Sequence, residues 1–135
     1  AVVLADDSGL EVDALNGAPG IRSARYTPGS DEDRIAALLR HLEGVPWERR
    51  TARFRCVIAV VPPDGTVHFA EGVCEGIIAT EPAGGGGFGY DPVFYLPDLG
   101  CTMAQLPPEA KNRISHRARA VQAVMPVLRR LFLAR

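Results

Sequence analysis

The hydrophobic and polar residues along the chain predict a series of strands and two main helices. A continuous apolar run over residues 2–5 predicts a short buried strand that ends at Asp7. Residues 54–61 are rich in β-branched side chains and predict a central strand, which a turn containing Pro and Gly joins to a returning strand at 66–70. Residues 76–79 form a further candidate strand.

The first predicted helix has a clear start and a clear apolar face. Ser30 is a capping residue, and the three acids that follow it occupy the first turn, where the helix dipole favours negative charge. Apolar residues then recur at i, i+3, i+4 and i+7, and Gly44 supplies a stop signal. The apolar stripe consists of Ile35, Leu38, Leu39 and Leu42.

The last part of the chain predicts a longer helix, preceded by a short helical turn that starts at 107–109. Ser115 is placed to cap the longer helix. Pro126 lies within it and is expected to kink it, because proline removes one backbone hydrogen bond. The predicted apolar side consists of Val121, Val124, Met125, Leu128 and Leu131.

Strands and helices alternate unevenly, which predicts an α/β fold in which a mixed β-sheet is flanked by helices. The 135 residues have the length of one domain and can bury a sizeable core. Residues 1–135 are therefore expected to form a single domain.

The composition argues against several classes of partner. The formal net charge of -1 gives no overall attraction to nucleic acid or to an anionic membrane surface. No apolar run approaches the ~20 residues of a membrane span. The 3 cysteines are widely spaced and form no Cys-x-x-Cys motif, which fits reduced thiols in a cytoplasmic protein. No nucleic acid or membrane partner is therefore expected.

Two adjacent aspartates, Asp6 and Asp7, follow the first apolar run directly. Neighbouring strand residues point to opposite faces, so one carboxylate can face a cleft and the other the scaffold. A carboxylate in a cleft can bind Mg²⁺ or orient a water molecule, and Ser8 and Gly9 offer a hydroxyl and backbone N–H groups to a phosphate. Taken alone, the four residues fit a polar strand end with an Asx turn better than they fit a site.

Four consecutive glycines at 84–87 are followed by Phe88, Tyr90 and Asp91. Such a run loses much conformational entropy on ordering, and it is useful where a backbone approaches a ligand closely or a loop moves. Two aromatic faces and a carboxylate suit the stacking of a planar base and hydrogen bonding to its edge. A surface loop whose aromatic residues return to the core explains the same sequence equally well.

Lys111 is the single lysine in a chain that otherwise uses arginine for every basic position. Its ammonium is a compact charge with three donors, which suits a phosphate or a carbonyl edge, although one exception among 15 basic residues also arises by chance. Ser115, His116 and Arg117 begin the last predicted helix, and a helix N-terminus favours anions. The density of donors favours an anion site slightly over a well-capped, solvated basic helix start.

Three motifs together resemble the inosine triphosphate pyrophosphatase family, whose members remove deaminated purine triphosphates such as ITP, dITP and XTP. The motifs are ADDSGLEVDALNGAPGIRSARY at residues 5–26, GGFGYDPVF at residues 86–94 and KNRISHRARA at residues 111–120. They occur in the family's order with ordinary spacing, and the resemblance spans essentially the whole chain.

The resemblance implies a hydrolysis that releases pyrophosphate and leaves the nucleoside monophosphate. Asp7 matches the family's catalytic acid, which serves as a Mg²⁺ ligand and as the base or orienter of the attacking water. The resemblance also implies a cytoplasmic homodimer that uses Mg²⁺ and binds a purine nucleoside triphosphate. The matching substrate contacts are Ser8, Phe88, Gly89, Tyr90, Asp91, Lys111, His116 and Arg117.

The chain departs from the family pattern at its beginning. The sequence lacks the family's phosphate-gripping Ser/Thr-x-Asn-x-x-Lys loop and a later glutamate, and Ala110 stands where an acid commonly precedes the lysine. The chain therefore matches the C-terminal two-thirds of a family domain, and reduced or absent activity is expected of these 135 residues. Sheet surface exposed at residues 2–4 would favour dimerisation or aggregation.

Two alternatives to this function stay open. The chain could be a non-catalytic nucleotide-binding or dimerisation remnant of the same fold, or a pyrophosphatase for modified pyrimidine triphosphates on a related fold. A Walker-type phosphate loop is excluded, because the chain has no Gly-x-x-x-x-Gly-Lys-Ser/Thr motif. A phosphatase of the haloacid dehalogenase type is disfavoured, because its nucleophile needs Asp-x-Asp spacing and these aspartates are adjacent.

Overall fold

The computed structural model describes residues 3–20, 23, 27–87 and 89–133, and only the backbone of Val3, Asp6 and residues 131–133. Short 3₁₀ helices at Asp13–Leu15, Trp47–Arg49, Asp91–Val93 and Met103–Gln105 connect the main elements. Those elements are β1 (Val3–Val12), β2 (Pro19–Gly20), α1 (Asp31–His41), β3 (Thr51–Val61), β4 (His68–Ile78), β5 (Phe94–Leu96), β6 (Cys101–Thr102), α2 (Pro108–Ile114) and α3 (His116–Leu133).

The six strands form one sheet in the order β2-β1-β3-β4-β5-β6, and the pairings between described strands are antiparallel. The longest ladders join β1 to β3 and β3 to β4, so these three strands form the centre of the sheet. The predicted α/β class, a sheet flanked by helices, is confirmed. No helix among the described residues is long and apolar enough to span a membrane.

Two strand predictions were wrong in their bounds. The strand predicted to end at Asp7 continues to Val12, because β1 stays paired with β3 from Val3 to Val12. It is also not buried at its start, since Leu4 is 57% exposed. The strands predicted at 66–70 and 76–79 are parts of the single strand β4, which pairs with β3 throughout this stretch.

Helices α1 and α3 pack against the same face of the sheet, called the covered face below. One core cluster joins Leu10 of β1 and Phe54 of β3 to Leu38 of α1. A second cluster joins Cys56 of β3 to Val124 of α3. Phe54 and Cys56 are two residues apart on one strand and therefore point to the same side.

The opposite face, called the open face, carries partly exposed charged residues. Arg53 donates to both carboxylate oxygens of Asp13 at 3.0 Å, which holds the pKa of Asp13 below its usual value. Arg55 forms ion pairs with Glu11 and Glu71 on the neighbouring strands. Opposite charges on adjacent strands stabilise the sheet by cross-strand pairing.

The predicted start and apolar stripe of α1 are confirmed. The Ser30 hydroxyl accepts a hydrogen bond from the Asp33 N–H at 3.2 Å, and the Asp33 carboxylate accepts one from the Ser30 N–H at 2.9 Å. This reciprocal capping box satisfies two N–H groups that helical hydrogen bonds leave free. Ile35, Leu38 and Leu42 are buried in the core.

The buried guanidinium of Arg50 ties the end of α1 to the end of β4. It donates to the carbonyl oxygens of Leu42 at 2.9 Å, Ile78 at 2.7 Å and Ala79 at 3.0 Å. Burial lowers the pKa of Arg50. The carbonyls offset the desolvation of the cation and hold two otherwise separate elements together.

The apolar side of α3 differs in part from its prediction. Val124 is buried, but Val121 is 46% and Met125 39% exposed, and the fully buried residue of this stretch is Ala120. The small Ala120 lies against the backbone of Gly72 in β4, so the contact is made by the residue that allows the closest approach. The side chain of Leu131 lies outside the described residues.

Candidate active site

A cavity of about 650 Å³ opens at the covered face, between β1, the start of α1, the glycine-rich loop (residues 84–87 and 89–90) and the junction of α2 with α3. Seven predicted site residues line it, and they come from three segments that are distant in the sequence. Phe88 lies outside the described residues. The seven are Ser8, Gly89, Tyr90, Asp91, Lys111, His116 and Arg117.

Asp91 and Lys111 form an ion pair in the wall of the cavity. The Lys111 Nζ lies 2.5 Å from the Asp91 Oδ2, and Asp91 is only 6% exposed. A buried carboxylate of this kind needs a cationic partner, because its desolvation is costly. The pair joins the 3₁₀ helix Asp91–Val93 to α2 and holds the lysine ammonium at the edge of the cavity.

Tyr90 belongs to the wall of the cavity and also to the core. The residue is 5% exposed, and its hydroxyl donates to the Ser23 carbonyl oxygen at 2.6 Å. The Ser23 hydroxyl in turn accepts from the Leu10 N–H at 2.8 Å and donates to the Gly20 carbonyl at 2.6 Å. Tyr90 therefore fastens the glycine-rich loop to β1 through Ser23.

His116 stacks on Phe54, with ring centroids 4.9 Å apart and planes inclined by 18°. Burial, and secondarily the neighbouring Arg117 cation, lowers the pKa of His116 to about 4. The imidazole is therefore neutral at neutral pH, and it offers one donor and one acceptor.

Two polar atoms in the cavity wall are buried without a hydrogen-bond partner among the described residues, Nδ1 of His116 and Oγ of Ser8. Buried polar atoms in native proteins are nearly always paired, with protein groups, water or a ligand. Both belong to residues that line the cavity, so a polar ligand can satisfy them there.

Ser115 separates the two C-terminal helices and sets the start of α3. It is the C-cap residue of α2. Its hydroxyl accepts a hydrogen bond from the Ala118 N–H at 3.1 Å in the first turn of α3. The predicted cap is confirmed. The break at Ser115 brings Lys111 from one helix and His116 from the next to the same cavity.

The glycine-rich loop lies against the rest of the chain. A Cβ at Gly84 would come within 2.7 Å of the Ala104 carbonyl carbon, and one at Gly86 within 2.9 Å of the Ala104 oxygen. The Gly86 N–H donates to that same oxygen at 3.0 Å. Close packing on the 3₁₀ helix Met103–Gln105 thus accounts for two of the four glycines.

Replacing Gly87 with alanine is expected to lower the free energy of unfolding by about 2 kcal/mol. Gly87 has a φ of +74°, and its Cβ would overlap the carboxylate of Asp91, the partner of Lys111. Gly85→Ala is the matched control, since nothing lies within 4 Å of its Cβ position. Denaturant unfolding measures both variants, and equal stabilities for the two would contradict this account of the loop.

Asp7 does not line the cavity. Its neighbour Ser8 reaches the cavity from the covered face, whereas Asp7 is exposed on the open face, in register with Val57 of β3. The two residues thus split between the faces, as their adjacency in a strand requires.

The donor set near the cavity is compatible with a metal that is bound largely by its substrate. Among the described residues, no group of three or more His, Cys, Asp and Glu side chains is placed to hold a metal ion. Mg²⁺ commonly binds proteins through one or two carboxylates and completes its shell with water and phosphate oxygens. The exposed carboxylate of Asp7 fits that mode.

Sequence patterns gave no indication of four further cavity residues. Asp31 of α1 was interpreted as part of a helix start and Phe54 as a residue of the central strand, and Arg34 was given no role. Ser23 lies within the first motif, but its spacing from other residues of that motif indicates no role. Each reaches the cavity through tertiary packing that a linear pattern does not encode.

The chain is similar to proteins of one family along nearly all its length. The model of the Ham1 family matches residues 1–127. A dITP/XTP pyrophosphatase of Desulforamulus reducens is 57% identical over 134 residues, which cover 98% of this chain and 67% of the relative. The dITP/XTP pyrophosphatase of Geobacillus kaustophilus is 60% identical over 121 residues, 88% of this chain and 59% of the relative.

Solved structures give the same result. The Staphylococcus aureus Ham1 protein superposes with a TM-score of 0.90 at 48% identity, over 95% of this chain and 67% of that one. A nucleoside-triphosphatase / dITP/XTP pyrophosphatase from Mycobacterium abscessus gives 0.82 at 47% identity, over 94% of this chain and 66% of that one. The chain thus spans roughly three-fifths to two-thirds of the length of these proteins.

Proposed function

The chain belongs to the Ham1 family, and from that premise we propose that it hydrolyses deaminated purine nucleoside triphosphates to the monophosphate and pyrophosphate. ITP, dITP and XTP are the proposed substrates, and the relatives are named dITP/XTP pyrophosphatases. The observation that carries the proposal is the shared cavity, which Ser8, Asp91 and His116 line together from three distant motifs. Its volume of about 650 Å³ suits a ligand of nucleotide size.

The cations at the cavity support a reaction on phosphate. Hydrolysis at the α-phosphorus builds negative charge on phosphate oxygens, and fixed positive charges stabilise that charge more in the transition state than before it. Lys111, Arg117 and Arg34 all line the cavity. Lys111 is already positioned by its pairing with Asp91, so little reorganisation is needed during the reaction.

Mg²⁺ is the proposed cofactor, and Asp7 is the residue that would hold it. When bound, the ion polarises phosphate oxygens and neutralises their charge. Asp7 is in addition the proposed base or orienter of the attacking water. Its place in the family motif supports both roles, whereas its side chain lies on the open face and does not line the cavity.

The apolar and neutral parts of the cavity support binding of a purine base. Leu10, Phe54 and Met103 give it apolar walls, and neutral His116 adds one donor and one acceptor. Selectivity requires a donor aimed at the 6-oxo group, which would meet another donor in adenine. Arg117 is the proposed donor. One such mismatch costs about 1–3 kcal/mol, or about 5- to 150-fold, so several contacts are needed to reject ATP.

We also propose a homodimer located in the cytoplasm. Exposed apolar side chains at strand ends support an interface, with Leu4 57% and Phe69 69% exposed. The three cysteines are free thiols, two of them buried, which suits a reducing compartment.

Release of pyrophosphate from ITP, XTP, ATP and UTP, each with Mg²⁺, tests the proposed function. We expect ITP and XTP to react at least about fivefold faster than ATP, because one mispaired polar group already gives that factor. Arg117→Ala should reduce the preference for ITP over ATP. An unchanged preference would remove Arg117 from the proposal.

The same panel separates the alternatives. Faster release from UTP than from ITP would indicate a pyrimidine pyrophosphatase and overturn the purine proposal. Binding of ITP, measured by calorimetry, with no release at any Mg²⁺ concentration would indicate a non-catalytic remnant.

A further inference from the structure

We propose that Asp31, oriented by Arg34, is a positioning residue that fastens the glycine-rich loop over the cavity and so controls nucleotide affinity. The effect on affinity rests on the proposed function, whereas the effect on the loop does not. Both residues lie in the first turn of α1 and line the cavity, and neither belongs to the three motifs.

A hydrogen bond joins α1 to the glycine-rich loop. The Gly89 N–H donates to the Asp31 Oδ2 at 3.0 Å and joins residues 58 positions apart in the sequence. Gly89 has a φ of +59°, which residues with a side chain rarely adopt. The direction of its N–H toward Asp31 therefore depends on this position being glycine. The bond therefore holds an unusual backbone conformation in place.

Arg34 keeps the Asp31 carboxylate in position. Its Nη2 lies 3.4 Å from the Asp31 Oδ1, and its Nη1 donates to the carbonyl oxygens of Thr27 at 3.2 Å and Gly29 at 2.9 Å. The Arg34 side chain is 19% exposed, whereas that of Asp31 is 51% exposed. A mostly buried guanidinium thus connects the turn before α1 to the carboxylate that holds the loop.

The position of Gly89 explains why this bond matters for a ligand. The next two residues, Tyr90 and Asp91, are tied to Ser23 and Lys111 respectively. Gly86, on the other side, is tied to Ala104. The Asp31 bond fixes Gly89, which lines the cavity between these anchors. A loop that is already ordered binds a ligand without the entropic cost of ordering the loop.

Hydrogen exchange in the nucleotide-free protein tests the contact directly. In Asp31→Ala we expect the Gly89 amide to exchange roughly tenfold faster, while the Gly86 amide, which donates to Ala104, keeps its rate. Asp31→Asn retains an oxygen acceptor and should stay within about threefold of the wild type. Equal protection of Gly89 in Asp31→Ala and the wild type would overturn the proposal, whatever the protein hydrolyses.

Kinetics then test the consequence for the ligand. Asp31→Ala should raise the KM for ITP roughly tenfold and change kcat by less than about twofold, with Asp31→Asn restoring KM. Glu32→Ala is the matched control, since it removes an exposed acid from the same helix turn. An equal rise in KM in the control, or a loss confined to kcat, would contradict a positioning role for Asp31.

Discussion

Replacing Asp7 with asparagine is expected to slow pyrophosphate release from ITP by about 10²- to 10⁴-fold, the usual effect of removing a positioned acid–base group. Asparagine has the same shape but cannot take up a proton and binds Mg²⁺ more weakly. Asp7 is exposed, so the substitution should leave the free energy of unfolding within about 0.5 kcal/mol of the wild type. Steady-state kinetics and denaturant unfolding of the same preparation separate the two effects.

Glu71→Gln is the control for Asp7→Asn. Both Asp7 and Glu71 are in register with Val57, on its two sides, so they lie in one row of the open face. The control removes a carboxylate from the same face, and with it the pair with Arg55. Full activity in Asp7→Asn would show that the Asp7 carboxylate is not needed. An equal loss in Glu71→Gln would show that charge on this face matters and that Asp7 has no special role.

Local sequence signals predicted those elements whose cause is itself local. The start of α1 follows from Ser30 and Asp33, which bond to each other within one turn. The turn between β3 and β4 has a similar origin, since the Asp64 carboxylate accepts hydrogen bonds from the N–H and hydroxyl of Thr66. Such contacts need no information about the remainder of the fold.

Predictions were wrong where tertiary contacts decide the outcome. The polar pair at Asp6 and Asp7 indicated a strand end, but pairing with β3 carries the strand on to Val12. Two separate strands were predicted at 66–70 and 76–79, whereas Gly72 and Gly76 lie within the single strand β4 and allow other backbone and side chains to approach it. Hydrophobic periodicity likewise favoured Val121 over Ala120 as the buried residue. That prediction was wrong because the size of the side chain, and not its hydrophobicity, determines which residue can lie against Gly72.

The candidate site shows the same division. Motifs identified residues such as Lys111 and His116, which line the cavity. They could not identify Asp31 or Ser23, whose side chains accept from backbone N–H groups of distant segments. Because every residue type except proline has the same backbone N–H, the residue that donates to Asp31 or Ser23 cannot be recognised from its identity in the sequence.

Replacing Gly72 with alanine is expected to lower the free energy of unfolding by about 3 kcal/mol or more, at the upper end of overpacking effects. A Cβ at Gly72 would overlap the His116 carbonyl oxygen and the Ala120 nitrogen of α3. Both are backbone atoms, so no change of rotamer can relieve the overlap and the helix must move away from β4. Thermal unfolding should show a decrease of roughly 10 °C in Tm.

The helix shift also has a readout at the site, because α3 begins with His116. Burial holds the pKa of His116 at about 4, and lifting the helix should return it toward the ordinary histidine value of 6.5. An NMR titration of the imidazole measures this change in protein that is still folded. Glu75→Ala is the control, since Glu75 lies on the open face of the same strand and its side chain is 76% exposed. If Gly72→Ala is destabilised but the pKa of His116 is unchanged, the imidazole has remained buried against Phe54 after the helix moved. The close contact of α3 with β4 would then stabilise the fold without positioning His116.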